Sequence, residues 1–125
     1  MTSSESTLLA DCHTLLVAVS HRDICQLNRF LAITAERQPL QGPARSKYDW
    51  IDALQNRELT YTDFATPTVS EMTNHHARIQ VTAKFQSATL STTVFLQLTF
   101  IRDQTHWQLC RQQELSEKPI DWIRS

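Results

Sequence analysis

Ala77-Arg-Ile-Gln-Val-Thr-Ala-Lys-Phe85 is the stretch from which the rest of the chain can be read. Ala77, Ile79, Val81, Ala83 and Phe85 alternate with Arg78, Gln80, Thr82 and Lys84. That period of 2 is the pattern of a strand with one buried face. Residues 86–91 turn the chain back into Thr92-Thr-Val-Phe-Leu-Gln-Leu-Thr-Phe-Ile101, a second and longer strand. Here Val94, Leu96, Leu98 and Phe100 share one face, while Phe95 and Ile101 share the other with Thr93, Gln97 and Thr99. Apolar side chains on both faces imply that both faces are covered. A polar turn over 102–105 leads to a last strand, His106 to Gln113, and upstream the same period makes 58–65 a strand that 67–73 continues after Pro67.

Before residue 57 the period is 3.6. Leu8, Leu9, Cys12, Leu15, Leu16 and Val19 form one apolar stripe, with Asp11, His13 and Thr14 off it. Ser20 opens S-H-R-D, a capping-box variant, ahead of a second helix that turns Ile24, Leu27 and Leu31 inward, with Phe30 beside them. Pro39, Gly42 and Pro43 rule out a long helix over 32–45 and leave room for a short strand near Leu31–Ala35. Ser46 caps a third helix with Trp50, Ile51 and Leu54 on one side, and Asn56 suits a left-handed stop. Helices first and antiparallel strands after make an α+β fold, with the helices on one face of a curved sheet.

The 125 residues and 14.4 kDa predict one domain over 1–125, with a core of about 6–115 and a tail of 116–125. A chain of this size buries roughly two-thirds of its unfolded surface, enough for a core without metal or disulfides. A net charge of −1 and pI near 6.5 argue against nucleic-acid and anionic-membrane partners, which demand clustered Lys and Arg. No apolar run approaches the roughly 20 residues of a membrane span. Cys12, Cys25 and Cys110 are an odd set without close spacing, hence reduced thiols, and the N-terminus lacks a basic n-region. Both features predict a cytoplasmic protein. Adjacent His75 and His76 point to opposite faces of an extended chain, the metal-binding motifs are missing, and Gly42 is the sole glycine. No metal, cofactor or phosphate loop is therefore expected.

The assembled pattern resembles the nuclear-transport-factor-2-like superfamily, and within it the SnoaL-like and ketosteroid-isomerase-like small bacterial proteins. The resemblance rests on the amphipathic first helix, R-D-I-C-Q-L-N-R-F-L (22–31), Y-D-W-I-D-A-L (48–54), E-L-T-Y (58–61), H-A-R-I-Q-V (76–81) and R-D-Q-T-H-W-Q-L-C-R-Q-Q (102–113), and it spans about residues 6–115. It implies a cystatin-like cone, a pocket between the helices and the concave sheet face, and a homodimer. Members include isomerases, hydrolases, cyclases, ligand carriers and non-enzymatic assembly modules. Ketosteroid isomerases use a Tyr on the first helix, an Asp base near the first short strand and an Asp on the long strand. A loose alignment puts Leu15, Gln38-Pro39 and Gln97 there, so none of the three matches, and that proton transfer has no agent.

The alignment assigns Ile79, Val81, Ala83 and Phe85 to the pocket wall, with Phe95, Gln97 and Thr99 on the next strand and Tyr48, Trp50 and Tyr61 at the mouth. Such a lining suits a small, mostly apolar ligand, although the same side chains also serve as plain core. Asp63, two residues after Tyr61, is the one catalytic candidate. Three readings follow: a dimeric binding protein, an enzyme acting on an apolar substrate, and an assembly module working through the sheet face. The dimer is expected through the face that carries Phe95 and Ile101, unless a tail with Ile120, Trp122 and Ile123 folds over it.

Overall fold

The computed structural model of the chain describes residues 3–102, 104 and 106–119. Helix α1 (Ser3–His21) is followed by α2 (Ile24–Phe30), strand β1 (Leu31–Gln38), the two-residue β2 (Arg45–Ser46) and α3 (Lys47–Gln55). The strands β3 (Leu59–Thr62), β4 (Thr68–Met72), β5 (His76–Ser87), β6 (Ser91–Arg102) and β7 (Trp107–Leu115) complete the sheet. Its order is β2-β1-β7-β6-β5-β3, with β4 beside the other half of β5.

The apolar stripe of α1 does what its period predicts. Leu8, Cys12, Leu15, Leu16 and Val19 are buried against the concave face of the sheet. On that face stand Ala77, Ile79, Val81, Ala83 and Phe85 of β5, opposite Phe100, Leu98, Leu96, Val94 and Thr92 of β6. Asp11 fixes the helix to the sheet by accepting a 2.9 Å hydrogen bond from the Trp107 amide. Ser46 caps α3, accepting from the Asp49 amide.

Several expectations are corrected. The sheet is mixed, because β1 runs parallel to β7. The region 58–73 is two strands, β3 and β4, which pair with opposite ends of β5. Ser20 lies inside α1 and donates to the Tyr61 carbonyl, while Asp23 caps α2. The left-handed residue after α3 is Arg57 (φ 59°), one beyond Asn56. The apolar residues Ile120, Trp122 and Ile123 lie outside the described residues.

Two irregularities shape the sheet. Leu31 pairs with Leu109 but Glu36 with Arg111, so β1 bulges widely and leaves Ile33 exposed. In β7, Thr99 faces Arg111 and Phe100 faces Leu109, so Cys110 is an extra residue on that strand. A bulge of this kind reverses the phase of every later side chain and bends the strand. After it, Gln112 and Glu114 turn inward. The curl is strong enough that Tyr61 on β3 hydrogen-bonds Arg37 on β1, although β5, β6 and β7 lie between the two strands.

Candidate functional site

The polar side chains that turn into the cone meet at its wide end. Arg37 grips Glu114 with two hydrogen bonds, Nε to Oε2 at 2.6 Å and Nη2 to Oε1 at 3.0 Å. The Tyr61 hydroxyl donates to Glu114 Oε2 and accepts from Arg37 Nε at 2.9 Å. Gln112 Nε2 donates to the same carboxylate oxygen at 3.0 Å. The Glu114 side chain is 0% exposed and that of Arg37 8%. Isolated charges at this depth are prohibitive, so the ion pair and its two neutral partners stand or fall together.

The electrostatics follow from the packing. Burial alone disfavours the Arg37 charge, but the hydrogen bond and charge of Glu114 outweigh it and hold the guanidinium above its usual value. Burial first, then the Glu114 charge, pushes the Tyr61 phenol well above its usual value. Tyr61 is therefore a fixed hydrogen-bond donor. The phenyl ring of Phe85 backs the cluster, 5.2 Å from the Tyr61 ring and 5.8 Å from the Arg37 guanidinium carbon.

Arg37 is also the member that reaches open space. Two clefts share Arg37, Arg45 and Leu59. The first, about 430 Å³, is polar and carries Asp49, Trp50, Asp52, Asn56 and Glu58 from α3 and the turn after it. The second, about 250 Å³, runs along Leu40, Phe85 and Leu90. The Trp50 indole N–H is buried without a partner among the described residues, which leaves a donor on a side chain of the polar cleft. A further groove of about 410 Å³ separates α1 from residues 64–67 and has no buried charge against it. Among the described residues no cluster of His, Cys, Asp and Glu is arranged to hold a metal ion, and no helix is long and apolar enough to cross a membrane.

Comparison with known proteins agrees with this architecture. A nuclear-transport-factor-2-like protein from Cytophaga hutchinsonii superimposes with a TM-score of 0.79 at 14% identity, covering 94% of this chain and 100% of that one. An uncharacterised cystatin-like protein from Caulobacter vibrioides gives 0.73 at 10% identity, covering 94% and 92%. A ketosteroid isomerase-like protein from Erwinia carotovora gives 0.66 at 14% identity, covering 95% and 100%. The chain has the nuclear-transport-factor-2-like fold. No protein-family model matches the sequence, and no curated protein is similar to it. A nuclear-transport-factor-2-like cone carries many chemistries, so at these identities the likeness speaks for fold and not for activity.

Within that cone the residues singled out from sequence divide. Tyr61 belongs to the buried cluster, Trp50 lines the first cleft and Phe85 the second. Ile79, Val81 and Ala83 are packed core. Phe95, Gln97 and Thr99 do not face the pocket. They pair with Thr82, Gln80 and Arg78 on the outer face, because direct partners in an antiparallel pair share a face. Tyr48 is 57% exposed, beside Lys47 and away from both clefts. Asp63 is also displaced: it follows β3 with φ 52°, and its exposed side chain sits 3.3 Å from Lys84 Nζ. Arg37, Gln112 and Glu114 escaped the sequence reading, since strict alternation from Trp107 turns Gln112 and Glu114 outward until the extra Cys110 reverses them.

Proposed function

We propose that this protein binds a small, mostly apolar molecule at the mouth of the cone and catalyses no proton transfer there. One observation carries the reading: of the buried polar cluster, Arg37 alone lines the clefts, while Glu114 is sealed beneath it. A general base has to reach the proton it abstracts. Both Glu114 oxygens are already occupied, and Tyr61 is held protonated. Asp63 stands outside the cone. An isomerase-like reaction, which the Erwinia neighbour's description invites, thus finds no base in the buried cluster or at Asp63. Arg37 is left to bind and orient.

A thermal-shift screen against steroids, polyketide-like aromatics and fatty acids tests this. A ligand at 100-fold its dissociation constant stabilises the folded state by about 2.7 kcal/mol. For a domain of this size that raises the midpoint by several degrees. A shift that disappears on Phe85→Ser, with no turnover of the ligand, is the expected result. No shift across the panel overturns the reading in favour of an assembly role.

The proposal includes a homodimer through the outer sheet face. Phe95 and Ile101 are only half-buried there in the single chain, and symmetric pairs are the commonest assemblies. Phe95→Arg is expected to convert a dimer to a monomer in sedimentation. The free thiols of Cys12, Cys25 and Cys110 suit a reducing compartment such as the cytoplasm.

A further inference from the structure

The geometry points to the ligand's class: a single carboxylate head held between Arg37 and Arg45, on an apolar body lying along Leu40, Leu59, Phe85 and Leu90. The inference rests on the mouth being a binding site and deepens that reading. Its first support is a local conflict. Arg37 and Arg45 are direct partners across the β1–β2 pair, and like charges in that position repel. Glu114 neutralises Arg37 from below. Arg45 is exposed and makes no ion pair among the described residues. An anion between the two guanidinium groups relieves a repulsion that no ion pair of Arg45 offsets.

The second support is preorganisation. Glu114 takes the Nε and Nη2 edge of Arg37, which locks the plane of the guanidinium and leaves Nη1 without a partner among the described residues. With that edge taken by Glu114, the Nη1 end is held in a fixed direction from which to donate to a ligand carboxylate oxygen. The third support is the asymmetry of the surroundings. On one side of the arginine pair Leu40, Leu59, Phe85 and Leu90 alternate with the neutral polar Gln41, Ser87 and Thr89, and the arginines are the only charged residues of that lining. On the other stand Asp49, Asp52 and Glu58. A second negative charge meets either a lining without a further cation or the carboxylates, so the site favours one charge at one end of the ligand.

Calorimetry with octanoate, octanol, octylamine and octanedioate separates the possibilities. One charge-assisted hydrogen bond predicts that octanoate binds about tenfold more tightly than octanol. Octylamine and octanedioate are expected to bind more weakly than octanoate, and added salt to narrow its advantage. Arg45→Gln should erase most of the preference without lowering the unliganded midpoint, since it also relieves the Arg37–Arg45 repulsion, and Leu90→Asp should weaken octanoate from the other end of the same cleft. Equal binding of octanol and octanoate overturns the carboxylate head and leaves the binding reading intact. Unchanged octanoate affinity in both variants overturns the placement. Failure of every eight-carbon probe overturns the inference, and only an equally silent screen of the larger panel overturns the binding reading with it.

Discussion

Removing the Glu114 carboxylate strands the Arg37 guanidinium in a buried site. Glu114→Gln is therefore expected to lower stability by about 3–5 kcal/mol, measured by urea unfolding. Replacing both partners with apolar residues, Arg37→Met with Glu114→Leu, is expected to restore most of that loss, because the desolvation of two charges disappears with them. A second residue-scale expectation concerns alkali. Burial, with a smaller effect of Asp11, pushes the Cys12 thiol from 9.0 to about 12, and Tyr61 is raised well above 10.0. Both groups hold their protons more tightly in the folded state, so their contribution is complete below the unfolded values and fades as pH rises. For Cys12 the window is pH 9 to 12, and three pH units correspond to about 4 kcal/mol. Urea midpoints should fall steeply above pH 9, and Cys12→Ala should flatten the early part of that fall while lowering stability at neutral pH. An equally steep fall in the variant counts against Cys12 as its source.

The caps are the element-scale test. Asp23→Ala and Ser46→Ala are each expected to lower stability by about 1 kcal/mol, since each side chain satisfies an otherwise free helical amide. Ser20→Ala removes a bond of the same length to the Tyr61 carbonyl, but Ser20 lies inside α1, where Ala has the higher helix propensity, so it should cost less than either. Thermal unfolding of the three variants ranks them. Element order was legible from sequence because it rests on periodicity: the α1 stripe, the β5 alternation and the Ser46 cap need no knowledge of distant partners. The candidate site was legible only where it lies on regular elements, as at Trp50, Tyr61 and Phe85. The ion pair was not, because Glu114 points inward through a bulge whose only trace is one residue, Cys110, inserted between the pairs Phe100–Leu109 and Thr99–Arg111. The face of Phe95, Gln97 and Thr99 was missed for a related reason. Alternation separates two faces of β6 but does not say which one is concave, and the pairing with β5 decides it.

At the scale of the molecule, a hydrophobic cone is closed at its wide end by four polar side chains from three strands. Arg37 and Tyr61 are 24 residues apart, Tyr61 and Glu114 53, and Arg37 and Glu114 77. Bonds between partners so distant in the chain can form only after β5, β6 and β7 are in register. The cluster is then a late event in folding. Glu114→Gln should leave the refolding rate nearly unchanged and put almost all of its effect into faster unfolding, a φ-value near zero in stopped-flow chevrons. A slowed refolding arm would place the ion pair in the nucleus instead. On the late-forming view, Arg37 and its carboxylate partner set how long each native molecule survives, not how quickly it is made.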